Sequence, residues 1–477
     1  MTTPASTVHP TAIHPAQPAD TERLDPALLK MGAVLIFGAI LSVLDGTIVN
    51  VGIDSVVRDL HSPLAAVQWV ATGYLLAVSM VMPLSGWATE RFGGKRMWMI
   101  SVALFVGGSA LCGLAWSTPA LIAFRVVQGI GGGMMQPIGQ AMMAQAAGPS
   151  RLTRVMGLLV VPITFAPVLG PLLGGVIVAN LDWRWMFYVN VPIGIATLVA
   201  AARVLPAGGR TGARNRLDVL GLALLSPGLA ALVYGFATAG EPGGFGAPKV
   251  VLALALGVGL LAGYAAHALR GRGIPLIDLR LFRRRQFAVA TGSSFLLGAS
   301  MYSSMLLLPL YYEQVEHASA LRAGLLLAPQ ALGTALVVTL AGRLAARISP
   351  RRIMVCGIGL SLAGTVAFTQ LGAHPAGWLL VASLVLRGIG LGATMAPGMG
   401  AVYAAVERHE APRAASALNV LNRVGGSLGT AVLVVVLQQN LDTAADPAVA
   451  FGTTFWWALG LSLLTLIPAA MFPDRVR

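Results

Sequence analysis

Charged residues are scarce in this sequence. Only 10% of the 477 residues are Asp, Glu, Lys or Arg, whereas 56% are hydrophobic, and the mean hydropathy is +0.77. A soluble globular protein carries about 25% charged residues. The composition therefore excludes a soluble globule and indicates an all-α polytopic membrane protein.

Cysteine and lysine are also rare. The two cysteines, Cys112 and Cys356, lie within apolar runs, so neither a disulfide framework nor a metal site is indicated. Lysine accounts for three of the 32 basic residues, and the arginine, alanine and glycine bias suggests a bacterial genome of high GC content. The net charge of +14 does not imply a nucleic-acid partner, because the arginines recur in short segments between apolar runs.

A secretory signal is not evident at the start of the chain. Residues 1–29 are rich in Pro, Ala, Thr and His and lack a basic start and a cleavage site. We therefore expect residues 1–30 to form a disordered cytoplasmic tail.

Long apolar runs dominate the remainder. A membrane-spanning helix needs about 20 apolar residues, and cutting the chain at charges and at Gly/Pro-rich turns predicts fourteen such runs. They are 31–53, 67–89, 97–116, 119–146, 155–179, 186–204, 218–239, 249–269, 287–312, 323–345, 353–373, 377–402, 414–438 and 453–472.

The distribution of basic residues predicts the topology. With both termini in the cytoplasm, most Lys and Arg residues fall on the cytoplasmic side, as the positive-inside rule requires. The basic segment around Arg283, Arg284 and Arg285 would meet the membrane surface, so anionic lipids are expected partners.

The chain contains an internal repeat. GWATERFGGKR (86–96) is echoed by GRLAARISPRR (342–352), and RVVQGIGGG from Arg125 is echoed by RGIGLG from Arg387. This predicts a six-helix half over 31–204, an inserted pair of helices with its linkers over 205–286, a second six-helix half over 287–472, and a short cytoplasmic tail over 473–477. Such halves place a substrate site at their interface near the membrane midplane.

Arg125 is the most informative residue in the apolar runs. A guanidinium is costly in hydrocarbon, so Arg125 must face a bundle interior or an aqueous cavity and marks a functional site. The glycines that follow allow a neighbouring helix to approach closely. A nucleotide-binding glycine loop is excluded, because no strand precedes them.

Acidic residues at membrane depth are candidates for proton coupling. Of the 18 Asp and Glu residues, only Asp45 lies well inside a predicted span, while Glu313 lies at the outer end of the ninth run. A purely structural role remains the alternative for both, and more so for Glu313. The seven His residues lie in tails, loops or span ends, so no catalytic or metal constellation is predicted and an embedded enzyme is disfavoured.

These features together resemble a known family. The chain is similar to the fourteen-helix drug:proton antiporters of the major facilitator superfamily, of the EmrB/QacA type. The resemblance implies a cytoplasmic turn after the second helix that acts as a conformational latch, with Ala346 replacing the acid in the second copy. The latch residues are Gly86, Glu90, Arg91, Gly93, Lys95 and Arg96.

Two further motifs carry the resemblance. The fourth helix matches through Arg125 and the residues Gln128, Gly129, Gly131, Gly132 and Gly133. The fifth run matches an antiporter signature through Gly157, Gly170, Pro171, Gly174 and Gly175. The segment 182–194, DWRWMFYVNVPIG, is also characteristic of the fourteen-helix branch.

The resemblance implies a transporter that exports toxic amphipathic organic compounds in exchange for protons and uses no cofactor beyond the proton gradient. Export of a single endogenous metabolite, such as an antibiotic, lipid or siderophore, is the alternative. A periplasmic adaptor is left open as a partner.

The proton-coupling hypothesis centres on Asp45 and Arg125. Counted from the outer ends of their helices, the two residues differ in depth by only a few ångström. Burial favours the neutral carboxyl and a nearby guanidinium favours the carboxylate, so movement of Arg125 would load and unload a proton.

Overall fold

A computed structural model describes residues 25–148, 151–206, 216–271, 273–345, 348–373 and 375–472. Most of the predicted N-terminal tail, the C-terminal tail 473–477 and Ala346 lie outside these residues. The described part of the chain is all-helical and contains no β-strand. This agrees with the fold class that the composition predicts.

The first part of the described chain folds into nine α-helices, three of them shorter than ten residues. They are α1 (Pro26–Val51), α2 (Ile53–Asp59), α3 (Leu64–Val81), α4 (Leu84–Phe92), α5 (Gly94–Gly113), α6 (Thr118–Ala147), α7 (Leu152–Asn180), α8 (Trp185–Tyr188) and α9 (Asn190–Val204). We refer to α1–α9 as the first bundle.

Two apolar helices and a second bundle follow. The pair comprises α10 (Val219–Thr238) and α11 (Pro248–Arg270). The second bundle comprises α12 (Arg285–Gln314), α13 (Ala320–Ala345), α14 (Pro350–Val366), α15 (Gly377–Ala404), α16 (Ala411–Thr443), α17 (Pro447–Leu464) and α18 (Leu466–Ala470).

Twelve helical segments of the described chain are long and apolar enough to cross a membrane, so the chain is a multi-pass membrane protein. Two long helices, α6 and α7, are not among the twelve. Helix α6 has 30 residues, but its arginine, four glutamines and many glycines lower its hydropathy. Helix α7 contributes the shorter apolar stretch Leu169–Asn180.

Helix packing brings the two bundles together. Within the first bundle α6 packs against α3 and α5, and α1 packs against α7. Within the second bundle α12 packs against α16, and α15 packs against α13 and α14. Helix α7 also packs against α13 and α15, so it lies at the boundary between the bundles.

The α10–α11 pair packs on one helix from each bundle. Helix α10 contacts both α3 and α16. The Ser226 hydroxyl donates to the Met80 carbonyl at 2.5 Å, and the rings of Trp69 and Tyr234 stack with their centroids 5.8 Å apart. The pair therefore covers the seam between the bundles on this side.

Candidate proton-coupling site

Asp45 lies in the interior of the first bundle and is fully buried. Its Oδ2 accepts a hydrogen bond from Arg125 Nη1 at 2.5 Å. Its Oδ1 accepts from Gln128 Nε2 at 2.8 Å and from Asn190 Nδ2 at 2.9 Å. Three donors from two other helices thus surround this carboxylate, an arrangement suited to its ionised form.

Arg125 is held in place on several sides. Its Nε donates to the Val70 carbonyl at 3.1 Å and its Nη1 also donates to Gln128 Oε1 at 2.7 Å. The guanidinium lies 4.1 Å from the centre of the Tyr74 ring, within cation–π range. Only 1% of Arg125 is exposed, so its charge faces the bundle interior and is paired there with Asp45.

The structure adds two residues that sequence reasoning did not assign to the site. Asn190 is the first residue of α9, and Ser109 lies on α5. The Ser109 hydroxyl accepts from Gln128 Nε2 at 2.5 Å and from Asn190 Nδ2 at 3.3 Å. Asn190 belongs to the segment 182–194 that carried part of the family resemblance, but uncharged amides and hydroxyls give no separate sequence signal.

The glycines after Gln128 explain why α6 can carry this network. A Cβ added at Gly131 would lie 2.5 Å from the Phe105 backbone nitrogen on α5, and one at Gly133 would lie 2.7 Å from the Val78 carbonyl on α3. Both distances are too short for any larger residue. The glycines let α3 and α5 pack closely on α6, as small residues do between membrane helices.

Two antiporter-signature glycines bring α7 against α1 next to Asp45. A Cβ at Gly170 would collide with the Thr47 side chain, and one at Gly174 would lie 3.1 Å from the Ile48 carbonyl. A Cβ at Gly157 would lie 3.1 Å from Val338 Cγ1 on α13. Pro171 lies on the same helix, and Gly175 has open space around it. The signature thus lies between Asp45 and the second bundle.

The predicted latch residue Glu90 contacts the second bundle. Glu90 Oε2 accepts from Arg413 Nη2 at 2.6 Å, and both side chains are nearly buried, with 11% and 12% exposed. One turn earlier on α4, the Ser85 and Ser416 hydroxyls are 2.7 Å apart. Arg413, 323 residues away in the chain, was not anticipated as the partner.

The other latch residues have separate surroundings. Lys95 Nζ donates to two carbonyls at the end of α9, both at 2.7 Å. A Cβ at Gly86 would lie 3.1 Å from the Pro412 carbonyl, which explains the need for glycine beside α16. Gly93 has φ +87°, a left-handed conformation that favours glycine. Two further latch residues, Arg91 and Arg96, are exposed.

Comparison with known proteins gives the family. The model of the Major Facilitator Superfamily matches residues 35–328 and 290–477. The chain belongs to this superfamily. A multidrug resistance protein B homolog from Mycobacterium tuberculosis is 39% identical over 95% of this chain and 92% of that protein. The multidrug export protein EmrB from Haemophilus influenzae is 29% identical over 85% of this chain and 80% of that protein.

A solved structure supports the fold. The human organic anion transporter MFSD10 has a TM-score of 0.64 to this chain at 18% identity, covering 93% of this chain and all of that one. The comparisons confirm the resemblance to drug-exporting major facilitator proteins. They indicate a transporter rather than an enzyme.

The superfamily repeat has a register that the sequence echo did not resolve. Gly108 on α5 faces the Gln128 backbone, and in the second bundle Gly364 on α14 faces the Arg387 backbone in the same way. Arg387 therefore occupies the place of Gln128, not that of Arg125, although the echo begins with an arginine in both copies.

Arg387 has no acidic partner in the described structure. Only 1% of it is exposed. Its guanidinium donates to the hydroxyls of Thr365, at 3.2 Å, and Ser304. The two bundles therefore differ: within the described residues, the buried arginine is paired with an acid in the first bundle and with hydroxyls in the second.

Glu313, the second acid predicted for proton coupling, is not brought to the Asp45 network. It lies in the last turn of α12, in the second bundle, and is exposed. The described residues also contain no group of three or more His, Cys, Asp or Glu side chains able to hold a metal ion.

Polar contacts between the two bundles gather at one end of the molecule. Every hydrogen bond found between their described residues lies at the end that carries the Glu90 latch. The pairs are Ser85–Ser416 at 2.7 Å, Glu90–Arg413 at 2.6 Å, Gln140–Asn419 at 2.7 Å, Gln140–Tyr403 at 3.3 Å and Gln145–Arg408 at 3.2 Å. The bundles are therefore joined at the latch end.

An ion-pair cluster holds the opposite end of the first bundle. Asp59 Oδ2, at the end of α2, accepts from the Trp183 indole at 3.0 Å and from Arg184 Nη1 at 2.9 Å. The hydrogen bond from Trp183, and then that from Arg184, lower the pKa of Asp59. These contacts fix the segment that leads into α8 and so help to position Asn190.

A second pair of charges braces the start of the second bundle. Arg284, just before α12, donates to Glu410 at 2.7 and 3.1 Å. Burial by itself raises the pKa of Glu410, but the hydrogen bonds from Arg284 and from the Glu407 backbone outweigh it and lower the pKa. The pair ties the α12 and α16 ends together beside Arg413.

Proposed function

We propose that this chain is a proton-driven antiporter that exports toxic amphipathic organic compounds by alternating access. The observation that carries the proposal is the buried carboxylate of Asp45, paired with Arg125 at 2.5 Å at membrane depth. Buried acids at such positions are usually part of proton or ion pathways. The names of the bacterial relatives support a drug-exporting role.

The proposed architecture has fourteen membrane-spanning helices. The twelve apolar segments and the two long helices α6 and α7 make this number. We assign α10 and α11 to a hairpin inserted between two six-helix halves, with both termini in the cytoplasm. In this topology the latch end faces the cytoplasm, and the conformation described is closed on the cytoplasmic side.

The proposed cycle includes this conformation, which is closed on the cytoplasmic side. Protonation of Asp45 from outside weakens its pairing with Arg125, substrate leaves outward, and the bundles rock. Deprotonation to the cytoplasm then restores the pair and allows substrate to bind again. The proton gradient is the energy source, and each state is favoured by contacts made only in that state.

Transport in proteoliposomes tests the proposal directly. Vesicles containing the purified chain should extrude several chemically unrelated amphipathic dyes when a pH difference is imposed, and an uncoupler should stop this. Extrusion of one compound class alone would favour the dedicated-exporter alternative. Extrusion that persists after the pH difference has collapsed would contradict proton coupling.

Cysteine labelling tests the hairpin topology. Added side chains at Gly246 and Gly273, which lie at opposite ends of α11, meet no atom within 4 Å, so cysteines fit there. In a Cys356→Ala background, Gly246→Cys should react with an impermeant reagent from outside and Gly273→Cys only from inside. Buried Cys112 serves as the unreactive internal control. Labelling of both positions from the same side would contradict the inserted hairpin.

Neutralising either side of the Glu90–Arg413 ion pair tests the latch. Glu90→Gln or Arg413→Gln removes a nearly buried ion pair that joins the bundles only when this end is closed, so the closed state should lose up to about tenfold in population. We expect transport to fall more than substrate binding does. The measurement is accessibility of a cytoplasmic-side cysteine together with dye binding and efflux.

The double exchange Glu90→Arg with Arg413→Glu provides the control, because it restores opposite charges in reversed order. It should recover part of the lost transport. If each single variant loses binding and transport equally and the exchange recovers neither, Glu90 supports the fold and does not control the conformational balance.

A further inference from the structure

Asn190 has an unpaired carbonyl oxygen beside Asp45. The side chain is fully buried, and its Nδ2 donates to both Asp45 Oδ1 and Ser109 Oγ. Its Oδ1 has no hydrogen-bond partner among the described residues. Buried polar atoms are normally paired, so an orphaned acceptor next to a titratable group calls for an explanation.

The surroundings of Asp45 supply one. All three of its hydrogen-bond partners are N–H donors, on Arg125, Gln128 and Asn190. This set satisfies a carboxylate. A protonated carboxyl has an O–H of its own and needs at least one acceptor, so one neighbour must change its orientation when the proton arrives.

Arg125 and Gln128 are poorly placed to make that change. A guanidinium has no acceptor atom. The Gln128 oxygen already accepts from Arg125 at 2.7 Å, and its Nε2 donates to Ser109 at 2.5 Å, so turning the amide would break both contacts. Turning the Asn190 amide would break only the two hydrogen bonds that its Nδ2 donates. Its free Oδ1 would then occupy the position of Nδ2.

We propose that Asn190 holds the transported proton on Asp45. When Asp45 Oδ1 takes up a proton from the outer solution, the Asn190 amide turns by half a turn and its Oδ1 accepts the new O–H. The Ser109 hydroxyl turns with it and donates to the same oxygen. Asp45 becomes neutral, the new O–H is the only covalent bond formed on the protein, and the attraction between Asp45 Oδ2 and Arg125 weakens. This inference rests on the proposed proton-driven export.

Few other titratable groups face Asp45. Helix α3 presents Tyr74, whose ring covers Arg125, and α5 presents Cys112, whose thiol lies 3.7 Å from the Gln128 oxygen. On α9 the only ionisable side chain is Arg203, near the opposite end of the helix. The described part of α7 that packs beside Thr47 and Ile48 carries uncharged residues there, Gly170 and Gly174 among them, with Leu173 and Ile177 in the adjoining apolar cluster. Asn190 is thus the neighbour that can distinguish the two protonation states.

Substitution by leucine tests the proposed acceptor directly. In Asn190→Leu the carboxylate keeps two donors, one of them charged, whereas the protonated carboxyl loses the acceptor for its O–H. The carboxylic C=O band of protonated Asp45 should therefore move to higher frequency. If Asn190 contacts Asp45 only as a donor to the carboxylate, this band keeps its wild-type position. An unshifted band overturns the proposal.

Infrared difference spectroscopy of the purified, full-length protein measures this band without transport. The Asp45 band is the carboxylic C=O signal that disappears in Asp45→Asn, followed between about pH 4 and pH 9. Failure of dye export in vesicles would count against the proposed function, whereas the position of the Asp45 carboxylic band addresses the acceptor role of Asn190 alone. Absence of any Asp45 band across this range would also overturn the inference.

A matched control and a second readout complete the test. Asn440→Leu removes an amide that donates to Thr454 at 3.0 Å in the second bundle, and it should leave the Asp45 band at its wild-type position. In wild-type protein with isotope-labelled asparagine, an asparagine C=O band should shift as Asp45 titrates and should not shift in Asp45→Asn. This second measurement does not depend on the folding of Asn190→Leu, and an unshifted band refutes the amide rotation.

Discussion

Vesicles containing the Asp45→Asn variant should fail to extrude substrate against a gradient under an imposed pH difference. The asparagine side chain has nearly the same shape and still offers an oxygen to Arg125 or Gln128, but it can neither carry the charge nor exchange the proton. Uphill transport should be abolished. Substrate affinity should change by less than about tenfold, or about 1.4 kcal/mol, because the fold of the first bundle is kept.

Asp54→Asn provides the matched control. Asp54 lies on α2 in the same bundle, but it is exposed, so its neutralisation should leave efflux unchanged. The measurement is dye accumulation against time in paired vesicle preparations, with binding measured separately by fluorescence. Uphill extrusion by Asp45→Asn at a rate near that of wild type would show that another group carries the proton, and Glu313 would be tested next.

The sequence was sufficient to predict the central pair because charges at membrane depth are rare. A span that contains a single acid and another that contains an arginine must bury these charges against each other or in water. Asp45 and Arg125 could therefore be selected from composition and depth alone. The glycines after Gln128 were predictable for a similar reason, since close helix packing leaves few other choices.

The partners of these groups were not predictable in the same way. Asn190 is one uncharged amide among many polar residues, and only the fold brings the start of α9 against α1. Arg413 is one of many arginines in segments flanking the apolar runs, and nothing near it in the sequence indicates Glu90. The register of the internal repeat was missed for a related reason. Both copies of the motif begin with an arginine, and this obscured the glycine pattern that makes Arg387 equivalent to Gln128.

Arg125→Ala should be the most damaging single substitution in the first bundle. It leaves Asp45 as a buried carboxylate without its cation, and removing one partner of a buried ion pair costs about 3–5 kcal/mol. The Val70 carbonyl and the Gln128 oxygen also lose their donors. We expect a lower unfolding temperature in detergent together with loss of proton-driven efflux.

The double variant Asp45→Asn with Arg125→Ala separates stability from coupling. Because it removes the charge that Arg125→Ala strands, it should recover much of the lost stability while transport remains absent. A double variant that is destabilised by the full sum of the two single changes would argue that the two side chains do not interact energetically.

Arg125→Lys tests whether charge alone suffices. An ammonium group retains the positive charge but lacks the planar fork that reaches Asp45, Gln128 and the Val70 carbonyl together, and it loses the stacking on Tyr74. Efflux should fall by at least about tenfold, the effect of losing roughly 1.4 kcal/mol. Arg58→Lys, an exchange at an exposed position on α2, is the matched control and should be silent. If Arg125→Lys transports as wild type does, the site requires only a positive charge, and the orientation of the guanidinium has no part in loading the proton.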